Sequence, residues 1–331
     1  MALLLSEADV KQILTMPMAL AAVEDSFRRL GDGAALLHSR QRLHIPGKSY
    51  LHYMAAADAI SGYMGMKIYT SSGVGLRFLV PLFHVDSGEL LALIEADYLG
   101  QVRTGAASGV ATRLLARADA AKIGIIGTGL QSRTQLEALS LVRTITGVRA
   151  FSRKPEHREH FAKEMTAQLG LPVVAVASAQ EAVRGADIVV TSTTSTDPVL
   201  DGSWLAPGMH VNAIGANFPQ KHELDGEAIR RCDIIVADSR EQSKIEAGDL
   251  IQMYGEDKRR WASVTELAEI VAGKSPGRSN PQQITLFKSN GIAIEDVVVA
   301  GKIYELARER GMGRHVPLWE KEARQGEARG V

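Results

Sequence analysis

The segment Lys122-Ile-Gly-Ile-Ile-Gly-Thr-Gly-Leu-Gln-Ser132 constrains the fold more than any other part of the chain. An apolar run, Ile123 to Ile126, leads straight into Gly127-Thr128-Gly129. An amphipathic run with Leu136, Leu139 and Val142 comes next. Strand, glycine turn and helix in that order form the element on which a dinucleotide pyrophosphate can rest. Gly127 permits the tight turn, Gly129 lets phosphates approach the backbone, and the helix start offers free N–H groups and a positive dipole end. Leu130 continues the turn, and Gln131 and Ser132 are candidates to cover the pyrophosphate. Ser132 stands where a third glycine is common, so the turn taken alone also suits an ordinary strand–helix connection.

The chain beyond Ser132 extends the pattern. Apolar runs at Ile123–Ile126, Val148–Phe151, Val173–Val176, Ile188–Val190, Val211–Ile214, Ile234–Val236 and Ile284–Phe287 alternate with helical segments. That alternation predicts a Rossmann-type α/β fold, a doubly wound parallel sheet with crossover helices. The carboxyl ends of such strands face the cofactor, so Thr191, Ser192 and Thr193, after the fourth run, are candidates to line the nicotinamide ribose. Ser263 with Glu266 reads as a capping box, and a last long helix is predicted from about Ile294 to Arg310. The charged tail after Trp319 is expected to fray.

Before Lys122 the texture differs. Ser6 with Asp9 can cap a short helix, and Pro17 can open a second that ends at Gly31. Residues 38–95 read mostly as strands, with Asp86-Ser-Gly88 as a hairpin turn. Gly105 to Ala118 reads as an alanine-rich helix starting just after Arg103-Thr104. The chain thus predicts an α+β half with antiparallel strands, then the cofactor domain.

Composition excludes several function classes. With 331 residues, 45% of them hydrophobic, the chain can bury two cores. Lys+Arg and Asp+Glu are 38 each, so neither nucleic acid nor an acidic membrane is an expected partner. Cys232, the single cysteine, reads as a buried structural thiol. No run reaches membrane-spanning length and the first residues lack a signal-peptide pattern, so the cytoplasm is the expected location. His38, His44 and His52 match no zinc spacing, no metal is expected, and His210 reads as structural.

The second strand of a dinucleotide fold ends beside the adenine ribose, where a carboxylate binds the NAD 2′-hydroxyl and a basic residue accommodates the NADP 2′-phosphate. Here Val148–Phe151 is followed by Ser152-Arg153-Lys154, with no acid. Ser152 and Arg153 can hydrogen-bond a 2′-phosphate, so NADP(H) is preferred, with NAD(H) possible.

Five ordered segments together resemble the ornithine cyclodeaminase/mu-crystallin family: Gly65-Met-Lys67, Val102-Arg-Thr-Gly-Ala-Ala107, Gly127–Gln131, Pro207–Ala216 and Lys288–Asp296. The resemblance implies an NAD(P)-dependent enzyme acting on amino acids or their imines. It implies a discontinuous substrate-binding and dimerisation domain, residues 1–119 with 302–331, around a dinucleotide-binding domain, residues 120–301. A homodimer is a further expectation from the resemblance.

An α-amino or α-imino acid presents a carboxylate, which fixed positive charge must hold. Arg103 is expected at a helix start, where free N–H groups would assist it, and the resemblance makes it the substrate-carboxylate arginine. Lys67, in the apolar run Met64-Gly-Met-Lys67-Ile-Tyr69, is a candidate to hold that carboxylate or to pass a proton to the substrate nitrogen. Arg42 resembles the third cationic residue of the family pocket. Arg40, two residues away on the same strand face, is the alternative; Arg42 is preferred for its distance to Pro46. At Asn217 the cyclodeaminase and alanine dehydrogenase branches carry an aspartate. An amide cannot act as a general base, so this position favours reduction of a preformed cyclic imine, such as Δ1-pyrroline-2-carboxylate, over ornithine cyclodeamination. Alanine dehydrogenase activity and a non-catalytic NADPH-dependent binding protein are the further alternatives. Asp225 is expected to begin the next helix.

Overall fold

The computed structural model describes residues 1–318; the tail after Trp319 lies outside the described residues. Seven strands build one mixed sheet, ordered Arg314–Val316, Ala2–Leu5, Leu90–Glu95, Gly75–His84, Tyr63–Ser72, Ser49–Asp58 and Ala35–Ile45. Only the pairing of Ala2–Leu5 with Leu90–Glu95 is parallel. One face is buried under the helices Met16–Gly31, Asp97–Leu115 and Ala293–Glu309. Ser6 and Asp9 form the expected reciprocal cap on Glu7–Ile13, and Pro17 sits in the first turn of Met16–Gly31.

The second sheet has eight parallel strands, ordered Thr265–Glu266, Ile234–Ala237, Thr285–Lys288, His210–Ala213, Ile188–Thr191, Lys122–Ile126, Gly147–Phe151 and Val173–Ala175. Chain order reverses at Lys122–Ile126, which lies between Gly147–Phe151 and Ile188–Thr191. The crevice at such a reversal, beyond the carboxyl ends of the strands, is where ligands bind in open α/β sheets. All seven apolar runs became strands. The brief pair Thr265–Glu266 was not foreseen, because two residues carry no readable period.

Three local expectations are corrected. The helix with Arg103 begins at Asp97, not near Gly105, and Arg103 lies in its second turn. Two free N–H groups of its first turn, those of Asp97 and Tyr98, are taken by the Glu7 carboxylate at 2.5 and 3.2 Å. Ser263 does not cap a helix with Glu266. It closes the preceding turn of helix, Lys258–Ala262, donating to Arg260 O at 2.7 Å. The helix Ala293–Glu309 spans the expected 301/302 division and packs on the first sheet and its helices. Asp225 does cap the next helix, accepting from Ala228 N at 2.7 Å.

The two layers meet through close helix contact. A Cβ at Gly105 would collide with Thr134 O on the helix Leu130–Val142. Gln135 Nε2 donates to Thr104 O at 3.1 Å across the same seam. The helix that carries Arg103 is therefore fixed against the helix that follows the glycine turn. Among the described residues no helix is long and apolar enough to cross a membrane.

Candidate active site

Gly127 holds φ at 102°, a conformation that favours glycine, and a Cβ there would stand 2.5 Å from Ser192 O. Gly129 precedes the helix Leu130–Val142 with no protein atom within 4 Å of its would-be Cβ. That open space belongs to a cavity of about 660 Å³ lined by Gly127, Thr128, Gly129, Arg153, Ser192 and Thr193, among others. The donor set fits a dinucleotide: a helix start open to solvent at Gly129, hydroxyls at Thr128 and Ser192, and no carboxylate among the residues that line the cavity. Ser152 lines it too, accepting from Thr128 Oγ1 at 3.0 Å.

Two expected cofactor residues stand elsewhere. Ser132 is fully buried beneath the turn and donates to Gly127 O at 2.8 Å, so it braces the turn instead of covering it. Thr191 is fully buried and turns its hydroxyl to Glu223 Oε2 at 2.9 Å, away from the cavity. Period-two alternation explains this: successive strand side chains point to opposite faces.

A second cavity, about 690 Å³, shares Gly129, Ser192, Thr193 and Thr194 with the first. Leu130, Gln131, Arg40, Lys67, Arg103 and Asn217 also line it. The structure thus brings Lys67, Arg103 and Asn217 to one chamber beside the glycine turn. Arg103 donates from Nη1 to Glu295 Oε2 at 2.5 Å and from Nε to Asp296 Oδ1 at 3.2 Å. Lys67 Nζ donates to the same Asp296 Oδ1 at 2.8 Å. Among the described residues none accepts from Arg103 Nη2. Burial alone would lower Arg103, but Asp296 and Glu295 outweigh it and hold the guanidinium above its ordinary range. Burial, then the Arg103 charge, brings Lys67 down to about 8. Burial pushes the Glu295 carboxyl up to about 8 against the pull of Arg103.

The choice between Arg40 and Arg42 comes out differently from the expectation. Strand register shifts between His38 and Gln41, and Arg40 lies inside, 4% exposed, lining the chamber. Its guanidinium donates to Glu246 Oε1 and to Gly291 O, the latter at 2.9 Å. Arg42 does not line the chamber; it pairs with Glu246 Oε2, donates to Asn217 O at 2.8 Å and stacks 4.5 Å over Phe218. Arg42 thereby supports the Asn217 loop. The far wall is aromatic. His52 stacks on Tyr69 at 4.2 Å, and burial, then Arg42 and Arg40, lowers His52 to about 4, leaving a neutral ring near pH 7. His210 is likewise lowered by burial, to about 3, and bonds Thr285 Oγ1 at 2.9 Å. Burial raises the Cys232 thiol to about 12, as suits a structural residue.

Glu246, Glu295, Asp296 and Asp238 were not singled out from sequence. Asp238 accepts from the N–H groups of Asn290 and Gly291, both at 2.6 Å, and so sets the turn that leads into the helix bearing Glu295 and Asp296. The available signal was an acidic pair at the start of an apolar helix, Ile292-Ala-Ile-Glu295-Asp296-Val. A helix start attracts acids for its own dipole, which masks their second use.

A parallel sheet, a glycine turn at its reversal point and an adjoining chamber with paired buried cations define the class: an NAD(P)-dependent enzyme of the reductase and cyclodeaminase type. Comparison with known proteins gives the particular family. The description "Ornithine cyclodeaminase/mu-crystallin family" matches residues 1–311, and the chain belongs to that family. It is 41% identical to a Δ1-pyrroline-2-carboxylate reductase of Bacillus cereus, covering 76% of this chain and 80% of that protein. A Δ1-pyrroline-2-carboxylate reductase of Thermococcus litoralis, solved with NADH and L-proline, superposes with a TM-score of 0.91 at 37% identity, covering 95% of this chain and 100% of that one. An archaeal alanine dehydrogenase dimer with bound NAD superposes at 0.90 with 33% identity, covering 96% of this chain and 99% of that one.

Proposed function

We propose that this protein reduces the C=N bond of a cyclic α-imino acid of the Δ1-pyrroline-2-carboxylate kind, with NADP(H) preferred over NAD(H). One observation carries the reading: Arg103, Lys67 and Arg40 converge on a chamber continuous with the glycine turn, and the residue facing them on the next loop is Asn217, an amide. A bound nicotinamide dinucleotide would supply the hydride, held by the Gly127–Gln131 turn with Ser192 and Thr193, while Ser152 and Arg153 serve the adenosine end. Arg103 Nη2 and Lys67 Nζ hold the substrate carboxylate, with Arg40 adding charge from behind and Arg42 securing the Asn217 loop. Lys67, with its value near 8, gives a proton to the substrate nitrogen. Asn217 orients that nitrogen through its side-chain carbonyl but accepts no proton. The Thermococcus litoralis reductase and the archaeal alanine dehydrogenase hold NADH and NAD respectively; the preference for NADP(H) rests on Ser152-Arg153 alone.

We also infer a homodimer formed through the first sheet. Its outer face carries Leu43 at 60% exposure and Leu51 at 36%, apolar surface that a second copy would cover. Residues 1–119 with the last helix serve as the substrate-binding and dimerisation part, and the cytoplasm remains the expected location.

The deciding experiment monitors NADPH and NADH oxidation with Δ1-pyrroline-2-carboxylate, pyruvate plus ammonia, and L-ornithine. NADPH consumption with the cyclic imine is expected. Proline and ammonia formed from ornithine with only catalytic dinucleotide would overturn the inference from Asn217; turnover of pyruvate plus ammonia alone would assign alanine dehydrogenase activity.

A further inference from the structure

Behind the wall shared by the two cavities lies a buried ionic chain that contacts neither cavity. Lys288 ends the strand Thr285–Lys288 and is fully buried. Its Nζ donates to Ala216 O at 2.6 Å and pairs with Asp249 Oδ2 at 2.9 Å. Asp249 Oδ1 accepts from the N–H groups of Glu223 at 2.6 Å and Leu224 at 3.0 Å. Glu223, also fully buried, accepts from Thr193 N–H at 2.5 Å, Gly215 N–H at 2.8 Å and Thr191 Oγ1 at 2.9 Å. The chain of charges therefore ends on two loops: the one after strand Ile188–Thr191 and the one after strand His210–Ala213. Those loops are pressed together, since a Cβ on Gly215 would stand 2.4 Å from Thr193 O. Thr193, Gly215 and Asn217 line the chamber, whereas Glu223, Asp249 and Lys288 do not.

A buried Lys–Asp pair with a second carboxylate beside it is a poor means of gaining stability, because desolvating three charges offsets most of the attraction to Lys288 and the two carboxylates repel. Its yield is direction. A charged acceptor takes the N–H groups of both loops at once, with stronger and more directional bonds than a neutral group would make. We propose that Glu223, Asp249 and Lys288 are positioning residues that fix the nicotinamide end of the dinucleotide site, and Asn217 with it, without touching cofactor or substrate. The inference rests on the reading of the protein as a dinucleotide-dependent reductase.

Glu223→Gln, Lys288→Met and Thr191→Val, made in the full chain, test it. Binding of NADPH and NADH is compared with binding of ADP-ribose, which lacks the nicotinamide, alongside kcat for the cyclic imine. In Glu223→Gln an amide N–H must face a backbone N–H. Dinucleotide Kd is expected to rise about tenfold and kcat to fall about a hundredfold, while ADP-ribose Kd changes less than about twofold. Lys288→Met should change both in the same direction. Thr191→Val removes one hydrogen bond near-isosterically and should raise dinucleotide Kd about threefold with ADP-ribose unchanged, so the test survives if the charge variants do not fold. Wild-type values in Glu223→Gln or Thr191→Val, or parallel losses for dinucleotide and ADP-ribose, would overturn the inference. Wild-type protein that binds no dinucleotide would overturn the functional reading first, and this one with it.

Discussion

The glycine turn and the substrate wall of the active site are held by opposite means. On the dinucleotide side the turn is braced by neutral groups: Ser132 Oγ meets Gly127 O at 2.8 Å and Ser192 Oγ at 2.6 Å. On the substrate side cations and carboxyl groups oppose one another out of water. Arg40, Lys67 and Arg103 have side chains 3%, 4% and 7% exposed against Glu246, Glu295 and Asp296 at 0%. Neutral braces cost little to bury. Buried ion pairs cost several kcal/mol per charge and often gain nothing over apolar packing. On the substrate wall, charge kept under such a penalty faces a chamber that has to hold an anion, whereas the glycine turn only has to leave room for one.

Arg103→Ala is the largest stress on this comparison. It strands Glu295 and leaves Asp296 with Lys67 alone, costing about 3–5 kcal/mol of stability. It should also lower kcat/KM for the imino acid about a thousandfold by removing the guanidinium that shares the substrate carboxylate with Lys67. Chemical denaturation and steady-state kinetics read the two effects separately; a loss under about tenfold in kcat/KM would show that the charged side does not bind substrate. Gly127→Ala comes next. It forces a Cβ to 2.5 Å from Ser192 O at a φ of 102°. About 1–3 kcal/mol of strain and a large drop in dinucleotide affinity are expected. Gly129→Ala sharpens the point, because its Cβ meets no protein atom within 4 Å. Stability should hold by thermal melt while dinucleotide affinity falls, since the methyl takes the ligand's space. A stable Gly129→Ala that binds NADPH normally would place the pyrophosphate elsewhere.

Lys67 gives a pH test. If its ammonium donates the substrate proton, the rate should be full below about 8 and fall as pH rises through that value, because the donor form is lost. Lys67→Arg keeps the charge, moves the limb beyond the range and lowers kcat. A rate flat through pH 8 in the wild type would return the proton to water.

The same contrast explains what was legible in the sequence. The glycine turn, the apolar runs and the Ser6–Asp9 cap are local, so their spacing reports them directly. The charged cluster is not local: Lys67 meets Asp296 across 229 positions, and Arg40 meets Glu246 across 206. No spacing encodes such pairs, and Arg40 could not be told from Arg42 because both lie on one strand face and both reach Glu246. Arg103 was found by resemblance, but the helix start was placed too late. The run Asp97-Tyr-Leu-Gly100 has no local side-chain cap to announce it; Glu7, far away in sequence, takes its first N–H groups instead.

The smallest expected effect concerns cofactor choice, where the neutral side of the comparison acquires its few charges. Arg153, Lys154 and His157 line the outer end of the dinucleotide cavity, with no carboxylate among its lining residues. These side chains are exposed, so solvent and salt screen them, and each is worth far less than a buried cation opposite. Arg153→Asp should nevertheless act twice, repelling a 2′-phosphate and offering an acceptor to a ribose 2′-hydroxyl. NADPH affinity is expected to fall about tenfold and NADH affinity to rise about twofold, the gap narrowing as ionic strength rises. Salt should leave the Arg103→Ala defect almost untouched, because that pair is buried. Equal salt dependence in the two variants would remove the distinction between a screened, exchangeable recognition of the cofactor and an unscreened, fixed recognition of the substrate.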